Sequence, residues 1–200
     1  MAGSQTAEDV AREKTALRAR MVEWRKTVTP EQRAETAEAL AWTRLAFARP
    51  FKVGAVVSGF ASLSDELDCM PLLAKLAQDG LQLALPLVTG KGKPLTFRAW
   101  LPGDDMDAGV WGIAQPKADK PVVEPDILLV PLLAIDRQGW RLGYGGGFYD
   151  RTLQGLRSRK PVLAIGLAYD EQVVDAVPHL DYDEPLDWVL TPTGAMRCGR

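Results

Sequence analysis

The chain has 200 residues, 46% hydrophobic and 25% charged, with 24 basic against 26 acidic side chains and a formal net charge of −2. That is an ordinary globular composition, long enough for one domain (1–200) to bury its own core without a disulfide or metal staple. The balance of charge argues against a globally basic nucleic-acid binder, the lone His179 excludes a multi-imidazole metal centre built from this chain, and Cys69 and Cys198 fit no CxxC or zinc spacing.

In chain order, Leu17, Met21, Trp24 and Val28 recur at helical spacing and predict a first helix. A second begins at Thr29 as N-cap, with Pro30 at its first position and Gln32 three residues after the cap. Its stripe runs through Ala37, Ala41, Leu45 and Ala48, and Pro50 is expected to stop it. Short buried strands follow, at Val53–Val57, Leu81–Leu85 (closed by Pro86), Leu95–Trp100, Ile127–Val130, Val162–Ile165 and Trp188–Leu190. A helix over Cys69–Gln78 separates the first two. Strands alternating with helices predict an α/β layered fold with a largely parallel sheet. Residues 86–125, poor in helix signals and rich in Gly and Pro, predict an antiparallel excursion, and Thr89 to Pro94 reads as a solvated basic loop. The longest apolar stretch, Ile127 to Ile135, is far shorter than the ~20 residues a membrane span needs. With no apolar segment near Met1, a cytoplasmic protein with two free thiols is expected.

The informative segment is Arg141-Leu142-Gly143-Tyr144-Gly145-Gly146-Gly147-Phe148-Tyr149-Asp150-Arg151, between an apolar strand and a helix predicted to run to about Arg157. Four glycines in five positions let backbone amides approach a ligand with no Cβ in the way, and the following helix adds its positive end. The natural guest is a phosphate, with Arg141 as a permanent cation beside it. Neither named phosphate motif fits: Phe148-Tyr149 stands where a P-loop needs Lys-Ser or Lys-Thr, and Phe148 where a Rossmann fingerprint starting at Gly143 needs glycine. Asp150 suits a magnesium ligand beside phosphates and equally suits the dipole at its helix start. In the first helix, Lys14 and Arg18 share a face with no acid three or four residues away in either direction. Such a pair is either a solvated face or a site for an anion from elsewhere in the fold.

Together, Lys14-x-x-Leu17-Arg18, Asp65-Glu66-Leu67, Trp111-Gly112-Ile113 before Pro116, the run from Arg141 to Asp150, and Asp183 with Leu186-Asp187 resemble the 5-formyltetrahydrofolate cyclo-ligase (5,10-methenyltetrahydrofolate synthetase) family over about residues 14–191. Tyr144 and Gly146 depart from members that carry basic residues within the glycine run. The resemblance implies a three-layer α/β/α sandwich with a mixed, largely parallel sheet. It implies ATP-dependent closure of 5-formyltetrahydrofolate to 5,10-methenyltetrahydrofolate, releasing ADP and phosphate, through phosphorylation of the formyl oxygen. By the same resemblance ATP is held by Lys14, Thr15, Ala16, Leu17 and Arg18 together with Arg141, Leu142, Gly143, Tyr144, Gly145, Gly146, Gly147, Phe148 and Tyr149. Lys14, Arg18 and Arg141 would neutralise charge during phosphoryl transfer, and Asp150 and Asp183 would hold magnesium. Glu66, Trp111 and Tyr149 would line the folate pocket. The implied partners are 5-formyltetrahydrofolate, polyglutamylated or not, and MgATP, with no nucleic acid, no membrane and a monomeric chain. The alternative is a non-catalytic nucleotide- or folate-binding paralogue, against which the presence of both Asp150 and Asp183 speaks.

Overall fold

A strand covered by helices on both faces must be apolar at odd and even positions alike. The central strands meet that demand. In the computed structural model, which describes residues 6–63 and 65–199, Ile127 and Leu129 face one helical layer and Leu128 and Val130 the other. The same split separates Leu83 and Leu85 from Ala84, and Ile165 and Leu167 from Ala164.

Helices α1 (Ala7–Arg25) and α2 (Pro30–Thr43) start at reciprocal capping boxes, Thr6 with Asp9 and Thr29 with Gln32. The strands are β1 (Val56–Ser58), β2 (Gln82–Val88), β3 (Leu95–Ala99), β4 (Met106–Ala108), β5 (Ala114–Pro116), β6 (Val122–Val123), β7 (Ile127–Val130), β8 (Ala134–Ile135), β9 (Arg141–Leu142), β10 (Leu163–Leu167), β11 (Trp188–Thr191) and β12 (Gly194–Arg197). Two further helices are α3 (Met70–Gln78) and α4 (Phe148–Arg157). Eight strands form one sheet in the order β12-β11-β10-β7-β1-β2-β3-β6. The five from β11 to β2 are parallel, while β12, β3 and β6 are antiparallel additions at the edges. Helices α2 and α3 cover one face and α4 the other, which makes the three-layer α/β/α sandwich with a mixed, largely parallel sheet. Helix α1 packs Met21, with Leu17 and Trp24, against the hairpin of β8 and β9.

The antiparallel excursion in 86–125 is present as β3, β6 and the β4–β5 hairpin. The main differences from the sequence reading are at the ends of three elements and in one further strand. Helix α2 ends at Thr43 rather than running to Pro50, because Arg44 and Leu45 take left-handed conformations that bury Leu45 and turn the Arg44 guanidinium to Asp79. The first strand begins at Val56: Gly54 turns at φ 73, leaving Val53 exposed. Strand β2 passes through Pro86. Leu83 O accepts from Trp100 N on the β3 side and Ala84 O from Gly59 N on the β1 side, so even-numbered residues face β1. Register with β1 ends at Ala84, so Pro86 removes no ladder bond. Strand β12, which the sequence reading lacks, is a short hairpin partner of β11.

Candidate active site

Ligands of open α/β sheets bind outside the carboxyl ends of the strands. Here a cleft of about 940 Å³ opens at that end, walled by Phe60 after β1, Pro86 to Val88 of β2, Pro131 after β7, the 143–147 loop and the inner face of α1.

Arg141 is delivered by the β8–β9 hairpin. Asp136, 2% exposed, fixes that hairpin by accepting from the amides of Gln138 and Trp140 (3.0 Å each) and of Val177 (2.9 Å). Pleating then sends Leu142 into the core and Arg141 toward the cleft, where its Nη1 donates to Asp150 Oδ1 (3.0 Å) and to Glu184 O (2.7 Å). The expected permanent cation is therefore half of an ion pair with the expected metal ligand.

Helix α4 has Gly147 as its N-cap, which lies in the left-handed region at φ 64 and supplies no side-chain cap. Its first-turn amides lack intrahelical partners. Among the described residues no protein acceptor meets the backbone N–H groups from Gly143 to Phe148. The loop is instead held through its oxygens: Arg18 Nε donates to Gly143 O (2.9 Å) and Arg151 Nη2 to Gly146 O. A row of bare amides, a helix start and surrounding guanidinium groups make an anion-binding concavity.

Of the two readings open for Lys14 and Arg18, the anion from elsewhere holds for Lys14. Its Nζ donates to Asp183 Oδ2 at 2.5 Å, with both side chains largely buried. Arg18 turns to the glycine loop. Thr15 joins them in the cleft wall, whereas Ala16 and Leu17, also expected to meet ATP, are not among its lining residues. The reason is helical geometry: 14, 15 and 18 share one face, while Leu17 turns to the core beside Met21 and Ala16 to solvent.

Glu66 is 7% exposed and lines the cleft, its Oε2 accepting from Leu63 N (2.9 Å). Burial pushes its carboxyl above the ordinary glutamate range, more than the hydrogen bond from Leu63 N and the charge of Arg25 lower it. Trp111 stands 71% exposed on the rim with φ 57, edge-on to Phe148 at 5.9 Å between ring centroids. Tyr149 also lines the cleft, and burial raises its hydroxyl pKa. Leu142, Tyr144, Gly145, Gly146, Phe148, Asp150 and Asp183 complete the lining among the expected residues.

Carboxylates are the hard oxygen donors magnesium takes beside phosphates, one or two at a time. In Asp150 the hydrogen bonds from Arg141 and Glu184 N fall on Oδ1, and in Asp183 those from Lys14 and Leu180 N fall on Oδ2. Among the described residues one oxygen of each accepts no hydrogen bond, and both residues line the cleft, so their donor chemistry is of the kind such an ion takes. No cluster of three or more His, Cys, Asp or Glu side chains able to hold a metal occurs among the described residues.

The sequence reading missed Arg25, Arg151 and Tyr182. Arg151 and Tyr182 line the cleft, Tyr182 with its ring 5.9 Å from Lys14 Nζ. Arg25 lies on the same face of α1 as Arg18 and Met21, at helical spacing, and a basic residue at a stripe position was the available signal. His179 stacks on Trp140 at 3.9 Å, apart from the cleft lining.

A family model described as the 5-formyltetrahydrofolate cyclo-ligase family matches residues 10–192. The chain is 37% identical over 174 residues to the 5-formyltetrahydrofolate cyclo-ligase of Escherichia coli (strain K12), covering 84% of this chain and 94% of that protein. It is 32% identical over 191 residues to the protein of the same name from Mycolicibacterium smegmatis, covering 90% and 94%. Among solved structures, the Aquifex aeolicus 5,10-methenyltetrahydrofolate synthetase matches with a TM-score of 0.76 and 29% identity over 94% of each chain.

Proposed function

From this chain's membership of the 5-formyltetrahydrofolate cyclo-ligase family, to which it belongs over nearly its whole length, we infer that it is an enzyme that converts 5-formyltetrahydrofolate and ATP to 5,10-methenyltetrahydrofolate, ADP and phosphate. The observation that carries the reading at residue level is that one cleft joins a bare-amide loop and four cations, Lys14, Arg18, Arg141 and Arg151, to an acceptor carboxylate and an exposed indole.

Ring closure requires N10 to attack the formyl carbon and the formyl oxygen to depart, and that oxygen is a poor leaving group. Phosphorylation makes it a good one. The formyl oxygen attacks the γ-phosphorus and ADP leaves. N10 then forms its bond to the formyl carbon and loses its proton, and the carbon–oxygen bond breaks to release phosphate. Such transfers ask the protein mainly for alignment and neutralised charge. The amides of 143–148 cradle phosphate oxygens, while Arg141, Arg18 and Lys14 oppose charge as it builds on them. Asp150 and Asp183 would hold magnesium, which would supply positive charge to neutralise the phosphates. Glu66 accepts from the N–H edge of the pterin, and Trp111 offers a flat face to it. Two free thiols, that of Cys69 buried, support a reducing, cytoplasmic setting. Among the described residues no helix is long and apolar enough to cross a membrane.

Mixing the protein with 5-formyltetrahydrofolate and MgATP and following the near-ultraviolet absorption of the methenyl product tests the reading. Growth of that band is expected. A folded protein that binds both ligands and yields no band would be a non-catalytic paralogue.

A further inference from the structure

Arg25 is a charged residue whose side chain is only 2% exposed. A buried guanidinium persists only when paired and hydrogen-bonded. Its Nε and Nη2 donate to Asp65 Oδ2 at 2.9 and 2.7 Å, and Nη2 also donates to the hydroxyl oxygen of Tyr144. The guanidinium sits 5.3 Å from the Tyr144 ring centroid. Burial opposes its charge, but the hydrogen bonds to Tyr144 and Asp65 outweigh that and hold its pKa above the ordinary value.

Both partners adjoin the proposed machinery. Asp65 immediately precedes Glu66, and Tyr144 lies between Gly143 and Gly145 in the bare-amide loop. The Tyr144 oxygen accepts from Arg25, which leaves its own proton to give. The Glu66 carboxyl lies within reach of the Arg25 charge, which pulls its pKa down against the burial that raises it. Three arginines hold the loop from outside: Arg18 on Gly143 O, Arg151 on Gly146 O and Arg25 on the Tyr144 hydroxyl. Of these, Arg25 is the one that also grips the Asp65–Glu66 segment.

We propose that Arg25 is a positioning residue that couples the two substrate subsites, through Tyr144 on the nucleotide side and Asp65–Glu66 on the folate side, so that each substrate raises the protein's affinity for the other. The proposal rests on the assignment of the loop to phosphates and of Glu66 to the pterin. Whichever ligand arrives first orders the shared link, and the second does not have to order it again. Linkage makes the effect reciprocal.

The test is calorimetric titration of the non-hydrolysable analogue MgAMP-PNP into the free protein and into protein saturated with 5-formyltetrahydrofolate. In the wild type the ratio of the two dissociation constants is expected to be about fivefold or more. Tyr144→Phe keeps the ring over the guanidinium and removes the hydroxyl, so the ratio should fall to within about twofold of unity while the thermal midpoint stays near wild type. Arg25→Lys keeps a charge opposite Asp65 but loses the planar fork that serves both partners, and should lose the coupling likewise. If that variant fails to fold, Tyr144→Phe decides. A wild-type ratio near one with both ligands bound, or an undiminished ratio in Tyr144→Phe, overturns the coupling and leaves the cleft assignment standing. Failure of MgAMP-PNP to bind at all removes the cleft assignment, and the coupling with it.

Discussion

Replacing Gly145 by alanine separates the conformational demand of the loop from its chemistry. Gly145 stands at φ 100, outside the range that residues with a Cβ adopt readily, and a Cβ built there lies 3.6 Å from the Arg18 guanidinium carbon. That contact is an ordinary one, so the cost falls on the backbone, about 1–3 kcal/mol for a residue held in such a region. The cost must surface in one of two places. If the loop keeps its shape, the free energy of unfolding drops by that amount. If the loop relaxes instead, stability is retained and the cost appears in nucleotide binding, where it corresponds to roughly 5–150-fold in Kd. Denaturant unfolding and calorimetric titration of MgAMP-PNP on the same preparation measure both, and their sum should fall in that range. Gly143→Ala is the control, since its φ is not positive and a Cβ there meets nothing within 4 Å. Its stability should match wild type, and any loss of nucleotide affinity there reports the approach of phosphate to bare backbone. Gly145→Ala with wild-type stability and wild-type Kd would refute the reasoning.

Arg141→Ala removes a buried charge-assisted contact to Asp150, and should weaken ATP binding by about tenfold or more while folate binding changes by less than about threefold. Calorimetry giving the reverse order would move Arg141 to the folate side. Asp150→Asn keeps an acceptor for Glu184 N and loses the carboxylate charge, so the fold should survive while magnesium-dependent turnover drops by about a hundredfold or more; wild-type rates at low magnesium would remove Asp150 as a ligand. Glu66 titrates above the ordinary glutamate value because it is buried, so the folded state holds its proton more tightly than the unfolded chain does. Its contribution to stability therefore falls as pH rises from the ordinary carboxylate value through the raised one. Glu66→Gln should unfold at neutral pH no more easily than wild type, lose folate affinity, and lose the acidic limb of the kcat/KM profile for 5-formyltetrahydrofolate. An acidic limb that persists unchanged in that variant would belong to another group.

The layered α/β architecture was legible because Ile127 to Val130 is apolar at every position, which a strand buried on both faces needs and an amphipathic helix does not. Thr29 and Gln32 announced their capping box for an equally local reason. What could not be read locally was where backbone conformation overrides pattern. Leu45 continues the stripe of α2 and is buried, yet reaches the core from a left-handed turn. Pro86 looked like a stop because its meaning depends on how far β1 extends, a fact of pairing rather than of sequence. The site divides along the same line. Glycines 143 to 147 and Asp150 carry their chemistry in adjacent residues. Arg25 and the Lys14–Asp183 pair depend on contacts across 119 and 169 positions, which the fold alone brings together.

A crystal of the protein grown with MgAMP-PNP puts the central claim to its most direct test. The β- and γ-phosphate oxygens should lie within hydrogen-bonding distance of amides between Gly143 and Phe148, with magnesium on Asp150 and Asp183. A nucleotide seated elsewhere in the molecule, leaving those amides to water, would contradict it.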